Sequence, residues 1–136
     1  QIARWGLRDR VELAGWLPAA EFFARTHILV QCSRVENQPL SVMEAMAWMR
    51  PVLATRAGGL PELVADGETG ALVRRSARAL AAAMRHYLAA PTKARADGIR
   101  ARDRLEQQYA VEPMIRDHIG LYATVRASWN TPDNVS

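Results

Sequence analysis

The sequence predicts an α/β fold: a doubly wound parallel sheet followed by C-terminal helices. Two observations carry this. Over the first 75 residues, short apolar runs of strand length alternate with helical patterns. Those runs are continuous rather than alternating in polarity, which marks strands covered on both faces. After Arg75 the strand-length runs stop and three helical patterns follow. Parallel neighbours in such a sheet are joined by right-handed crossovers.

The elements follow in order. Val11-Glu12-Leu13-Ala14 is a short run closed by Gly15. Pro18–Arg25 reads as a helix, because proline suits a first helical turn, with Leu17, Phe22 and Phe23 facing inward. Ile28-Leu29-Val30 is a β-branched run of strand length. Leu40–Trp48 is helical, with Leu40, Met43 and Ala47 on one stripe. Pro51 opens a strand at Val52-Leu53-Ala54, and Gly58-Gly59 breaks the chain. Pro61–Val64 is a helical turn, Asp66–Gly70 a turn, and Ala71-Leu72-Val73 the last strand. Ser76 is the expected N-cap of an alanine-rich helix ending at Ala89, which Pro91 stops. Thr92–Tyr109 and Pro113–Ala127 are two further helices, and Trp129–Ser136 is polar and expected to fray. One domain over 1–127 and a polar tail over 128–136 are therefore expected.

Composition excludes several classes. With 49% hydrophobic residues the chain has enough for a core and is not disordered. Eighteen basic residues against 14 acidic give +4, and all but Lys93 of the basic residues are arginine. That excess is too small and scattered for nucleic-acid binding. Cys32 is the single cysteine, which excludes an intramolecular disulfide and a multi-thiolate metal site. No apolar run approaches the roughly 18 residues that a membrane helix needs. Gln1–Arg10 lacks the apolar centre of a signal peptide, and the chain has no initiator methionine, so a fragment or a processed chain is expected. His27, His86 and His118 have no spacing suited to a metal, and no Asp-x-Asp pair occurs.

In an open parallel sheet, ligands bind beyond the carboxyl ends of the strands. Two loops leave strands at that rim, Cys32–Pro39 and Thr55–Leu60. The first carries Glu36, and the helix after it carries Glu44. The second carries Gly58-Gly59, where backbone can approach a ligand closely. The start of the intervening helix exposes unpaired N–H groups and a partial positive charge, which suits a phosphate. Carboxylates before and within that first part of the helix accept hydrogen bonds from hydroxyls, and a nucleotide diphosphate-sugar offers sugar, pyrophosphate and ribose in a line.

Plainer roles stand beside these. Ser41 and Glu44 have capping-box spacing. Glu36 is then a solvated loop residue, Gly58-Gly59 a turn and Glu62 a helix-start charge. Cys32 is expected to be a small core residue. The arginines of Arg95–Arg104 are expected to solvate a helix face, with contact to anionic lipid as the alternative. Trp5, Trp16, Trp48 and Trp129 are expected to be core or domain-contact residues.

At the rim the sequence resembles a known family. Ser33-Arg34-Val35-Glu36-Asn37-Gln38-Pro39-Leu40-Ser41-Val42-Met43-Glu44-Ala45-Met46-Ala47 is followed by Pro51-Val52, Gly58-Gly59-Leu60-Pro61-Glu62, Asp66-Gly67 and Gly70. In that order they look like the C-terminal, donor-binding half of the retaining group 1 (GT4-like) glycosyltransferases of the GT-B fold, clearly over Val11–Val73 and weakly to Tyr122. The resemblance implies a Rossmann-like domain of an enzyme that moves a sugar from a nucleotide-diphosphate sugar to an acceptor, as in bacterial polysaccharide or glycolipid synthesis. Glu36, the catalytic candidate, would accept hydrogen bonds from hydroxyls of the donor sugar. Glu44 would bind the ribose hydroxyls. Backbone amides around Gln38, Leu40 and Ser41 would hold the sugar or pyrophosphate, and the loop with Gly58 and Gly59 would shape the donor pocket. Retention would need no protein nucleophile, because the leaving phosphate assists acceptor attack on the same face.

The resemblance further implies no metal or other cofactor beyond the donor substrate. A glycan or lipid-linked acceptor would be bound by an upstream half. A cytoplasmic location, with peripheral contact at the inner membrane face as an option, is the associated expectation. A homodimer is expected separately, because truncation would expose apolar surface normally buried against the missing half. The chain departs from the pattern at Asn37-Gln38-Pro39, where Gly-x-Gly is common, and Pro39 cannot donate an N–H. It also has Met49-Arg50 where a glycine C-cap is usual, and His27 where an aspartate is common. The family's diphosphate-neutralising basic residues lie further upstream, so this chain alone is expected to be catalytically incomplete. The alternatives are a non-catalytic nucleotide-binding or interaction module of the same fold, and another doubly wound enzyme such as a phosphate-binding epimerase.

Overall fold

The computed structural model describes residues 1–129. Its centre is a parallel sheet of β1 (Leu29–Gln31), β2 (Val52–Thr55) and β3 (Gly70–Val73), in that spatial order. Leu29 pairs with Val52, and Val52 with Gly70. Helices α1 (Ala19–Arg25), α2 (Leu40–Ala47), α3 (Leu60–Leu63), α4 (Ala77–Ala89), α5 (Pro91–Gln108) and α6 (Val111–Trp129) surround and follow it. The central strand explains the continuous apolar run: Val52, Leu53 and Ala54 are 0% exposed, because helices cover both faces. Val42, Ala45 and Met46 of α2, Leu60 and Leu63 of α3, and Leu72 complete the core.

Local chemistry sets the helix ends. The Ser76 hydroxyl accepts from the Ala79 amide at 3.2 Å, as expected of an N-cap. Pro91 both ends α4 and opens α5, since its missing N–H is not needed in a first turn. Helix α2 closes with two reversed bonds: Met49 N–H to Met46 C=O at 2.9 Å and Arg50 N–H to Ala45 C=O at 2.8 Å. This is a Schellman motif, and it places Met49 at φ +54 where glycine would be unstrained. The missing glycine is therefore a matter of helix geometry, as the sequence implies.

Several expectations are corrected. Val11–Ala14 pairs with no strand, and Leu13 is 83% exposed. A strand needs a partner ladder, and β1 pairs only with β2 among the described residues. The buried stripe of α2 is Val42, Ala45 and Met46, while Leu40 lies on the rim. Phe23 enters the core, but Phe22 stays outside, edge-on to it. Cys32 is exposed, because Gln31 and Ser33 on either side of it turn toward the site. Trp5, Trp16, Trp48 and Trp129 all keep exposed surface, which excludes the core role but not the domain-contact one. Helix α6 begins at Val111, two residues earlier than expected, and includes Ser128 and Trp129 of the expected tail. Residues 130–136 lie outside the described residues.

The arginines of α5 do more than solvate a helix face. Arg102 donates to the Ala47 carbonyl at 2.7 Å, at the end of α2. Arg104 donates to Leu63 and Glu62 carbonyls at 3.0 and 2.8 Å, at the end of α3. Arg100 donates to the Glu68 carbonyl at 2.8 Å. Each satisfies carbonyls that a helix end or turn leaves without partners. Of the arginines in this segment, Arg95 has no hydrogen-bond or ion-pair partner among the described residues.

Candidate functional site

Because the strands are parallel, their carboxyl ends share one rim, and the two loops predicted from the sequence meet there. Gly59 donates its N–H to the Glu36 carbonyl at 3.1 Å. Thr55, the last residue of β2, donates its hydroxyl to the Ser33 carbonyl at 2.8 Å. A Cβ on Gly58 would fall onto the Glu36 carbonyl, and one on Gly59 onto the Asn37 carbonyl. The glycine pair thus serves a close approach, but the backbone it approaches is the neighbouring loop. A plain turn does not require that.

Glu36 is half-buried and held from one side. Its Oε1 accepts from Gln31 Nε2 at 2.6 Å and from the Ser33 hydroxyl at 2.6 Å. Its Oε2 has no protein partner among the described residues. The reading of Glu36 as a merely solvated residue is corrected by this arrangement, since two side chains fix one oxygen and leave the other open.

Helix α2 starts beside it. Pro39 is the N-cap and no side chain caps the helix. The Val42 amide turns back to the Pro39 carbonyl at 3.1 Å. Helix geometry leaves the Leu40 and Ser41 amides without an intrahelical acceptor. No acidic residue occupies the first turn, so the positive end of the helix is uncompensated there. The capping-box reading is corrected: Ser41 lies inside the helix, and its hydroxyl faces Gln31 Oε1 at 3.5 Å. Glu44, further along α2, is exposed and has no side-chain partner among the described residues. Gln38 and Leu40 are also exposed on this rim.

Gln31 and Thr55 carry no motif in the sequence, and neither does a further set of contacts apart from its Asp66-Gly67 pair. Arg56, in the glycine loop, pairs with Asp66, whose other oxygen accepts from the Leu72 amide at 2.9 Å. Lys93 Nζ reaches the Gly67 carbonyl at 3.0 Å and Asp97 at 2.9 Å. Asp97 is 0% exposed and also receives Arg100 and the Tyr87 hydroxyl, the latter at 2.8 Å. Burial first, then the hydrogen bond and the charge of Asp97, push the Tyr87 phenol well above its ordinary value. The i, i+4 spacing of Lys93 and Asp97 and the i, i+3 spacing of Asp97 and Arg100 are the local signals of this cluster.

A cavity of about 710 Å³ lies at the opposite edge, below the amino ends of β1 and β2. Ile28, Trp48, Pro51, Leu88 and Ile99 are among its lining, and neither Glu36 nor Glu44 borders it. Among the described residues no group of three or more His, Cys, Asp or Glu could hold a metal ion. None of their helices is long and apolar enough to cross a membrane.

Comparison with known proteins decides the family. Residues 1–90 match the model of the glycosyl transferases group 1 family. The chain belongs to that family. It is 37% identical over 109 residues to the lipopolysaccharide core biosynthesis mannosyltransferase LpcC of Rhizobium leguminosarum, spanning 79% of this chain and 31% of that enzyme. Sucrose-phosphate synthase from Thermosynechococcus elongatus superposes with a TM-score of 0.87 at 33% identity, over 93% of this chain and 33% of that one. Anabaena HepE, solved in complex with UDP-glucose, superposes with a TM-score of 0.84 at 25% identity, over 90% of this chain and 35% of its own. This group 1 chain thus spans about a third of each of these relatives. Its parallel sheet and flanking helices are the Rossmann-like half of the GT-B fold that its glycosyltransferase neighbours share.

Proposed function

We propose that this group 1 chain is the donor-binding part of a retaining, GT4-like glycosyltransferase, one that moves a sugar from a nucleotide-diphosphate sugar to an acceptor. The observation that carries this reading is the uncapped start of α2 between two available carboxylates. Glu36 offers Oε2 and Glu44 its whole carboxylate, with no protein partner for either among the described residues. The amides of Leu40 and Ser41 supply hydrogen bonds and partial positive charge for a diphosphate. A relative in complex with nucleotide supports the same reading: HepE is solved with UDP and with UDP-glucose.

In this mechanism Glu36 accepts from hydroxyls of the donor sugar and Glu44 from the ribose pair. The backbone around Gln38, Leu40 and Ser41 holds the diphosphate, and no protein nucleophile intervenes. The leaving phosphate takes the acceptor proton as the acceptor attacks the same face, so catalysis rests on positioning and on stabilising diphosphate charge. The reading uses no metal, because the helix amides meet the leaving-group charge. The acceptor, a glycan or lipid-linked sugar, is bound by a further half of the enzyme, and the chain alone does not complete the reaction. Peripheral membrane contact at the inner face and homodimerisation belong to the same reading.

A thermal-shift panel tests it. UDP, GDP, ADP and their glucose or mannose conjugates are titrated into the chain to millimolar concentration. A concentration-dependent rise in melting temperature with one base family is expected. No rise with any nucleotide, under conditions where the chain melts cooperatively, favours an interaction module instead.

A further inference from the structure

The open oxygen of Glu36 has a cause that the family motif does not contain. Gln31 is the last residue of β1, and its backbone is fixed by pairing opposite Ala54 of the central strand. Its side-chain amide has three partners. Nε2 donates to Glu36 Oε1 at 2.6 Å and to the Ser33 hydroxyl at 2.8 Å. The Ser33 hydroxyl then donates to that same Oε1 at 2.6 Å, closing a triangle around one carboxylate oxygen. On its other side Gln31 Oε1 faces the Ser41 hydroxyl in the first turn of α2, at 3.5 Å. A carboxylate only accepts, so the amide nitrogen must face Glu36 and the amide oxygen must face Ser41. A glutamine fits here for a definite reason: glutamate would set two carboxylates against each other, and leucine would offer no donor.

We propose that Gln31 is a positioning residue for Glu36. It occupies Oε1 from a rigid strand end, keeps the carboxylate plane fixed relative to the start of α2, and so reserves Oε2 for a hydroxyl of the donor sugar. Gln31 touches no substrate in this account; it acts through Glu36. The inference rests on the donor-binding reading above, and it adds a distinction. Gln31 governs the sugar end of the donor more than the nucleotide end, because it makes no hydrogen bond to Glu44 or to the helix amides and meets α2 only through the Ser41 hydroxyl at 3.5 Å.

The test is calorimetric titration of the 136-residue chain and its Gln31→Leu variant with UDP-glucose and with UDP. UDP is the control, since it lacks the sugar. Gln31→Leu is expected to weaken UDP-glucose about tenfold, the worth of one charge-assisted hydrogen bond set out of place, and to leave UDP within about twofold. Gln31→Glu is expected to weaken UDP-glucose further, again sparing UDP. Gln31→Leu binding both ligands as the wild type does overturns the proposal alone. So does equal loss of UDP and UDP-glucose, which marks a general structural role. A wild-type chain that binds neither ligand, nor the GDP and ADP counterparts of the thermal-shift panel, overturns the donor-binding reading and this proposal with it. Where the panel selects another base, that diphosphate and its sugar conjugate replace UDP and UDP-glucose. Should Gln31→Leu fail to melt cooperatively, Ser33→Ala removes the second donor to Oε1 and is held to the same expectation. In the free chain, the Gln31 side-chain amide protons are expected to resonate apart from those of Gln38 and to shift on Glu36→Ala. Coincidence with Gln38 and no response to Glu36→Ala contradict the contact itself.

Discussion

The Gly59 amide donates to the Glu36 carbonyl at 3.1 Å, and that single backbone bond joins the loop after β2 to the loop after β1. Glu36, the residue proposed to accept from the donor sugar, is thus held through its main chain by Gly59. Its side chain is held separately, by Gln31 and Ser33. Two independent restraints on one residue reduce the reorganisation needed when a ligand arrives.

Gly58 has no room for a side chain. Its φ is +50, and a Cβ there would collide with the Glu36 carbonyl, which is backbone and cannot swing aside. Gly58→Ala is therefore expected to cost about 2–4 kcal/mol, combining the left-handed strain of a non-glycine residue with a forced loop shift. Urea unfolding of the variant checks this. A change below about 0.5 kcal/mol, the level of an ordinary surface substitution, would show that the loops are not locked.

Met49 is the opposite case. It adopts φ +54 at the end of α2, and its side chain is half exposed. Met49→Gly is expected to stabilise the chain by up to about 1 kcal/mol, because the strain removed exceeds the entropy that glycine adds to the unfolded state. The gain appears as a higher urea midpoint with an unchanged slope. A lower midpoint would mean that the Met49 side chain contributes more through packing than its conformation costs.

The Asp97 cluster predicts a pH dependence. In the folded chain the Tyr87 phenol ionises well above 10.0, its ordinary value, chiefly because it is buried. Between those two values the folded state holds a proton that the unfolded state has lost. Stability from this group is therefore complete below about pH 10 and declines as pH rises beyond it. Tyr87→Phe is expected to cost about 1 kcal/mol at pH 7 and to make the alkaline decline shallower. Asp97→Ala is expected to cost about 3–5 kcal/mol, since it strands Lys93, Arg100 and the Tyr87 hydroxyl around a vacated buried site. Melting curves between pH 7 and 11 measure both; an unchanged alkaline slope in Tyr87→Phe would contradict the assignment.

What the sequence made legible was local or carried by a motif. The run Val52-Leu53-Ala54 announces a strand covered on both faces, because every position is apolar, and it is fully buried. Glu36 and Glu44 are placed by their pattern around one helix start. The register of α2 is not legible in the sequence, because Leu40 and Val42 are equally apolar; only the position of the sheet decides that Val42 is buried and Leu40 is not. Arg102 and Arg104 read as solvated charges, since their carbonyl partners at Ala47, Leu63 and Glu62 are 55, 41 and 42 residues away. Val11–Ala14 has strand-like residues without a paired strand, and pairing is a property of the fold rather than of the segment. Gln31 has no motif at all; its role arises only when β1, its loop and α2 converge.

The central claim is that Glu44 reads the ribose of a bound nucleotide. Calorimetric titration with UDP and with its 2′-deoxy analogue, for the wild type and for Glu44→Ala, tests it most directly. The wild type is expected to prefer UDP by about tenfold, and Glu44→Ala to bind both equally and weakly, since the hydroxyl loses its charged acceptor. A Glu44→Ala chain that folds and keeps the full preference for UDP would contradict the account.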